Sequence, residues 1–435
     1  MSRTHRAALA CSILLSLALP GTIAAQLLTD PALATPPPQE NIPVSPETTT
    51  TKPPPIIEEA RPVSPDVRRL HYQFKIDLRS SYDDNINLSP DNPIGDFYVR
   101  IDPTVIISFG DVESRAGNFL SFEYDPDIVF YFDHSEFNAF QNVLHLEGQT
   151  NFGRLTLGLS EQAQFLNGSD INQSTSTGGF VNGVNLDVRG QPQVNLFNTQ
   201  LTGSYDLTGK TSLSGGVQWS VTDYSDFVSS QSVAGNLFVN YAYGPKLTIG
   251  VGGSIGREFV DPPTPDQTFE QLNVRASYVL TGKLTASGSV GVEFRQSDAG
   301  SGSYVSPVFG LDLNYTPFDG STFTLSGSRS TASSASLAGQ DFVSTQLTAT
   351  FRQRLLERFF VSLTAGYQNQ TYFGAISLSN STRDDNYYFI QPGIDVKITR
   401  FWYVGGYYLH RQNDSSVSNF GFNENQTGIR STLTF

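Results

Sequence analysis

Along most of the chain, hydrophobic and polar side chains alternate one for one. In Leu70 to Arg79, Leu70, Tyr72, Phe74, Ile76 and Leu78 alternate with His71, Gln73, Lys75, Asp77 and Arg79. Leu272, Val274, Ala276, Tyr278 and Leu280 alternate with Gln271, Asn273, Arg275 and Ser277. Phe309, Leu311, Leu313 and Tyr315 are set against Gly310, Asp312 and Asn314. A period of two means strands with one apolar and one polar face. Past the first 25 residues no segment carries a convincing helical period. The pattern predicts strands near 70–79, 97–109, 119–131, 137–148, 154–164, 193–205, 211–223, 233–243, 246–258, 269–280, 283–296, 304–315, 321–330, 341–353, 358–371, 385–397, 401–413 and 424–435.

The turns repeat as well. Tyr205, Tyr241, Tyr278, Tyr315 and Phe351 recur every 36 or 37 residues, each just before a short turn such as Thr208-Gly209, Gly244-Pro245 or Thr281-Gly282. Each period holds two strands, one tight turn and one longer loop, which is a hairpin unit and not a four-stranded blade. Connections after odd-numbered strands read as mostly long and polar, those after even-numbered strands as mostly short. Strands of about ten residues, an even count and this alternation of loops predict an all-β fold. The expected form is a transmembrane antiparallel β-barrel of about eighteen strands, with sixteen the close alternative. Backbone groups in lipid must all be paired, so closure follows from a membrane location.

The first 25 residues fit export. Arg3 and Arg6 precede an apolar run from Ala7 to Leu19, and small residues end at Ala25, the arrangement of a secretory signal peptide. Cys11 reads as one more hydrophobic residue of that segment. Its removal takes away the only Cys and the only Met, so the mature chain has no thiol chemistry and no disulfide. The formal charge of −14 becomes −16, because Arg3 and Arg6 leave and no acid does. Nucleic acid, which needs a basic face, is excluded as a partner. Residues 26–66 hold 11 of the 24 prolines and the run Thr48 to Thr51. They are expected to form an extended periplasmic linker, leaving 67–435 for the barrel. At the other end, Phe435 shares a face with Leu433 and Ile429.

Two runs in the first hairpin carry a resemblance. Tyr82-Asp83-Asp84-Asn85-Ile86 and Asp96-Phe97-Tyr98-Val99-Arg100-Ile101-Asp102-Pro103 resemble a β-barrel porin family of Gram-negative outer membranes, some of whose members are encoded with exopolysaccharide biosynthesis and export systems. The resemblance implies a channel or export role in the outer membrane, with outer-membrane lipid and lipopolysaccharide around it. Polysaccharide or export components are further partners it implies. The terminal Phe435 with Leu433 resembles the signal by which such barrels reach their assembly machinery.

With apolar positions facing lipid, the alternate positions face a lumen. The candidate pore-lining residues are Lys75, Asp77, Arg79, Arg100, Asp102, Glu123, Asp125, Glu147, Arg275, Glu293, Arg295, Asp312, Arg352, Asp395 and Lys397, joined by Asp127 and His145. Polar residues line any such barrel; as charge rings they would set solute preference, with mild cation preference expected from the net charge. A rim cluster is expected at Asp83, Asp84 and Asn85, with Asp384, Asp385 and Asn386 on the same rim. Asp83, Asn85 and Asn87 match the first three ligand positions of a helix–loop–helix calcium loop. Leu88 stands where that loop needs Gly, and Ile94 where it needs Glu, so that site is excluded and no metal is expected. There is no Gly-x-Ser-x-Gly elbow, phosphate loop or His-Glu-x-x-His run. His134 and Ser135 are adjacent and cannot form a nucleophile–base pair on a strand. Neither enzymatic activity nor a cofactor is expected. The rival to a channel is a structural or surface-interaction barrel with a plugged lumen.

Overall fold

The structure, a computed structural model, describes residues 50–51, 70–110, 112, 117–167, 180–181, 184–188, 193–298, 302–374 and 381–435. The expected signal peptide lies outside these residues, as does the expected linker apart from Thr50–Thr51, which pairs in parallel with Phe180–Val181.

Eighteen strands build the fold. They are β1 (Leu70–Asp83), β2 (Asp96–Gly110), β3 (Phe119–Tyr131), β4 (Ala139–Phe152), β5 (Leu155–Leu166) and β6 (Val194–Asp206). There follow β7 (Thr211–Tyr224), β8 (Ser230–Ala242), β9 (Leu247–Val260), β10 (Gln267–Thr281), β11 (Leu284–Ser297) and β12 (Ser303–Tyr315). The last six are β13 (Ser321–Ser333), β14 (Gln340–Leu355), β15 (Phe359–Gly374), β16 (Ser381–Lys397), β17 (Trp402–Ser415) and β18 (Phe422–Thr434). Each pairs antiparallel with its sequence neighbours, and β18 closes the barrel on β1 through nine pairs from Lys75–Thr434 to Asp83–Gln426. Beyond that ladder, the backbones of Phe74 and Phe435 exchange hydrogen bonds of 3.2 and 2.8 Å, so the final residue completes the seam.

The alternation decides which way each face points. Tyr72, Phe97, Leu237, Val251, Leu272, Val290 and Ile394 lie on the outside and are exposed. Asp77, Asp102, Asp127, Gln141, Glu293 and Arg411 lie on the inside and are buried. An apolar outer belt, a polar interior and a closed hydrogen-bond ladder together suit a barrel that crosses a membrane.

Strands are longer than the ten or so residues the pattern predicts, reaching 16, 16 and 17 residues in β14, β15 and β16. The end of the barrel opposite both the β1 start and the C-terminus is called the outer end here. Part of the polar sequence expected in its loops instead continues the ladders, as at 372–374, 381–384 and 331–333, so the expected contrast of loop lengths shrinks. Long connections remain at 84–95 and 167–193. The only helical turns among the described residues, Ser135–Phe137 and Ser418–Phe420, also sit at that end.

Four prolines fall inside barrel strands, each at a break in a ladder. Pro103 stands opposite Pro126, between the pairs Ile101–Ile128 and Val105–Tyr124. Pro392 lies between Ile390–His410 and Gly393–Tyr407. Proline has no N–H to donate, so it weakens one side of a strand while the other side pairs normally. Pro307 has the largest effect. Strands β12 and β13 pair only from Phe309–Arg329 to Tyr315–Phe323, and their outer ends diverge. The Nε of Arg329 donates to the freed Pro307 carbonyl at 3.2 Å.

Above that break the wall overlaps itself. Val343 of β14 and Phe373 of β15 pack against Tyr304 on the lumen face of β12 in a buried cluster, with the Tyr304 and Phe373 rings edge-on at 5.1 Å. The outer ends of β13, β14 and β15 thus curl inside the barrel over the wall formed by β10, β11 and β12.

Candidate channel lumen and its outer mouth

One stretch of lumen wall, from β16 through β18 to β3, carries charge in rows. Register aligns Asp77 with Asp102, and Asp102 faces Asp127 across the proline break. One step toward the outer end, Arg79 is in register with both Arg100 and Arg430. Like charges directly opposite one another repel, so each row is tolerable only beside the other. The contacts run between rows. Arg100 holds Asp127 through Nε at 2.9 Å and Nη2 at 2.7 Å, and Arg79 Nη2 lies 3.5 Å from Asp77. Arg430 holds Asp395 with two bonds of 2.7 and 2.5 Å. Lys75 Nζ is 3.9 Å from Asp77, and Thr104 donates to Asp125 at 2.8 Å.

The wall from β6 to β10 is different, being lined by amides and hydroxyls. Gln218 donates to Asn198 at 2.9 Å and Asn240 to Ser214 at 3.0 Å. Arg275 lies over the Phe238 ring, 4.1 Å from its centroid, and donates to Asn240 and Ser214.

At the outer end, Arg295 ties the overlap together. It donates to Glu293 (3.0 Å), Glu258 (2.6 Å), Gln267 (3.2 Å) and the Thr331 carbonyl (3.0 Å). Gln267 and Tyr304 in turn donate to the two oxygens of Asp341 at 2.7 and 2.9 Å. Residues of β9 to β12 are thereby linked to the curled ends of β13 and β14.

The mouth itself is crossed by residues 184–188 of the connection between β5 and β6. Val188 is buried with Val143, Leu166, Val194 and Tyr224 on one side of the barrel. Val184 and Leu186 are buried with Leu88, Tyr387, Phe389, Tyr407, Leu409 and Phe422 on another. Polar contacts fix the crossing. Asp187 accepts from Ser334 Oγ at 2.7 Å, from Ser336 Oγ at 2.9 Å and from the Ala335 N–H at 2.6 Å. Asn185 Nδ2 donates to Tyr224 at 2.8 Å, and Arg383 donates to the Leu186 carbonyl. Burial pushes the Asp187 carboxyl up from its ordinary value, against the opposing pull of its three donors and Arg383.

The sequence-derived candidates are distributed over these regions. Lys75, Asp77, Arg79, Arg100, Asp102, Asp125 and Asp395 come together on the charged wall; Glu293 and Arg295 belong to the overlap. Glu123 and Glu147 share the inner face with His145, Glu123 directly opposite His145, whose Nε2 is 3.3 Å from Ser160 Oγ. Arg275 sits on the amide wall, and Asp312 is on the inner face of β12, pairing with Ser287. Arg352 lies over Phe360 and Lys397 over Tyr403, at 4.9 and 5.8 Å.

The two Asp-Asp-Asn triplets stand where β1 ends and β16 begins, and their side chains divide by parity. Asp83 and Asp385 are buried on the inner face, Asp385 paired with Arg383. Asp84 accepts from Asn425 through both its N–H (2.7 Å) and its side chain (2.8 Å). Asn85 closes a turn by accepting from Ser89 N–H at 2.9 Å and donating to Ser89 O at 2.9 Å. Asp83 accepts from the Asn85 N–H at 2.8 Å. These oxygens therefore serve strand ends and turns.

Sequence reasoning missed Asp187, Arg383, Asp341, Arg411 and Glu424. Arg383 fell short of the predicted start of its strand, and Asp187 lies in a connection without periodicity. Arg411 and Glu424 had the correct parity, and Arg411 Nε holds Glu424 at 2.8 Å.

This fold and interior define a porin-like transmembrane barrel. Residues 280–435 match the model of the family described as Putative beta-barrel porin 2. That stretch lies beyond the first hairpin, whose two motif runs it does not include. No curated protein matches the chain. Among solved structures it is similar to OpdK of Pseudomonas aeruginosa with vanillate, at 11% identity and TM-score 0.42, covering 84% of this chain and 99% of that one. It is also similar to Pseudomonas aeruginosa OccK2 (OpdF) in complex with glucuronate, at 9% identity and TM-score 0.44, covering 84% and 98%. The FrpB iron transporter from Neisseria meningitidis (F3-3 variant) is similar at 10% identity and TM-score 0.41, covering 79% of this chain and 62% of that one.

Proposed function

We propose that the protein is an outer-membrane channel for small hydrophilic solutes, with a lumen narrowed at its outer end. The observation that carries this reading is the crossing of the mouth by residues 184–188, fixed at Asp187 and Arg383, above walls lined with charge and amides. Polar walls replace the hydration of a passing solute, and adjacent rows of opposite charge give it both signs to contact. Chain-like polysaccharide is the second reading. It rests on the resemblance of the first hairpin, and it requires the crossing segment to move aside. Delivery to the assembly machinery through Phe435 belongs to the same proposal.

Planar-bilayer recordings of the purified barrel test it. Stable single-channel openings are expected, with a mild cation preference in the reversal potential under a salt gradient. Arg430→Ala removes the bonded partner of Asp395 and is expected to strengthen that preference. A barrel that never opens would overturn the channel reading in favour of a plugged structural barrel.

A further inference from the structure

The membrane-facing surface of β13 to β16 holds a row of polar side chains in direct register. Arg329 pairs with Thr345, Thr345 with Asn369, and Asn369 with Asn386. All four are half-buried and point to the outside of the barrel. The row immediately below, toward the membrane centre, is Gly327, Leu347, Tyr367 and Tyr388; next come Leu325, Ala349, Ala365 and Ile390. Tyr367 and Tyr388 have rings 5.1 Å apart. Tyrosines at the edge of an apolar belt mark the level where hydrocarbon gives way to headgroups. Asn369 and Asn386, one step outward of these tyrosines, therefore lie at headgroup height. Arg329, whose neighbour on β12 is the exposed Phe309, lies at the edge of the apolar belt beside them.

Two arginines of the described strands face outward, Arg257 and Arg329. Arg257 is paired with Asp298 at 2.5 Å and lies 3.6 Å from Asp266. Arg329 forms no ion pair among the described residues. It donates Nε to the Pro307 carbonyl and Nη1 to Thr345 at 2.6 Å, with its Nη2 left over. Of the acids on this face, Asp341 is occupied by Gln267 and Tyr304, and Asp384 lies three strands away. Beside it, Asn369 and Tyr367 both donate to Asn386 Oδ1, at 3.2 and 2.9 Å, which fixes the amides in place. A guanidinium at this height, with a fixed orientation and a spare donor edge, suits an anion with several oxygens.

We propose that this row binds the phosphate of a membrane lipid headgroup, with Arg329 as the anchor and the acyl chains lying along the apolar rows below. The site is independent of whether the lumen conducts.

The test uses the purified barrel in neutral maltoside micelles and native mass spectrometry. Lipid retention is compared for phosphatidylglycerol and for a diacylglycerol with the same chains. Wild type is expected to retain phosphatidylglycerol about tenfold more tightly than the diacylglycerol. Arg329→Gln should lose most of that difference and Arg329→Lys should keep part of it. Arg257→Gln, at the arginine already paired, should leave it unchanged. Asn369→Leu leaves the Arg329–Pro307 contact intact and should also weaken retention, which separates a ligand role from a role in stapling the wall. Equal retention by wild type and Arg329→Gln would overturn the proposal. So would inorganic phosphate alone displacing the lipid, or a dimer forming through this face in place of lipid binding.

Discussion

Replacing Arg295 by methionine is expected to destabilise the barrel by about 3–5 kcal/mol, the cost of leaving buried carboxylates without their cation. Arg295 is bonded to both Glu258 and Glu293, and it caps the Thr331 carbonyl freed where β13 leaves β12. Methionine keeps much of the volume and removes every one of those donors. Urea unfolding in lipid vesicles, followed by the fluorescence of Trp219 and Trp402, measures the change. The loss should be concentrated in the overlap, so added protease should cleave the curled ends of β13 and β14 first. Replacing Glu258, Glu293 and Arg295 together by apolar residues should recover most of the stability, because the desolvation cost leaves with the charges. An Arg295→Met barrel as stable as wild type would mean that the overlap holds by the Tyr304, Val343 and Phe373 packing alone.

The second large effect is expected at Asp187. Asp187→Ala deletes three accepted hydrogen bonds that join the crossing segment to the β13–β14 tip, each worth about 1 kcal/mol or more. Single-channel current should become larger, or should fluctuate between two levels as the segment docks and leaves. Asp187→Asn can still bond both serines and the Ala335 N–H, so its current should stay near that of wild type. The sign of the pH effect follows from the raised carboxyl. The docked state binds its proton more tightly than the free segment does. Docking is therefore strongest below the ordinary carboxylate range and weakens as pH rises through the raised value. Wild-type current should be lower in acid and higher toward neutrality, and Asp187→Asn should lose that dependence. A wild-type current that falls as pH rises would reverse the assignment.

The wall of this barrel was legible because membrane crossing imposes a strict period of two, which sets strand count, closure and the inner face of residues such as Asp77, Arg100 and Arg295. The four strand prolines were equally visible, yet their meaning needed register. Only once β2 and β3 are aligned does Pro103 face Pro126, and only once β12 and β13 are aligned does Pro307 explain why the wall overlaps. The mouth was the least legible part. Residues 184–188 cross it through contacts far apart in the chain, such as Arg383 to Leu186 at a separation of 197 positions, and no local pattern announces them. Strand ends placed Asp83 and Asp385 at the rim. The partner of Asp83, Gln426, comes from another strand, whereas Arg383 pairs with Asp385 from two residues away on β16, ahead of the predicted start of that strand. Strand ends were read short for the same reason. Polar residues at the outer end look like loop in sequence, but they continue as ladder where another part of the chain covers them.

The most direct measurement of the central claim is the swelling of liposomes containing the wild-type barrel in neutral solutes of graded size, from a pentose to a linear tetrasaccharide. A channel narrowed at its mouth predicts rapid entry of the pentose, slower entry of a disaccharide and exclusion of the tetrasaccharide, with the cut-off moving upward in Asp187→Ala. No entry of any solute in either protein would contradict the account, and so would equal entry of all of them into wild type.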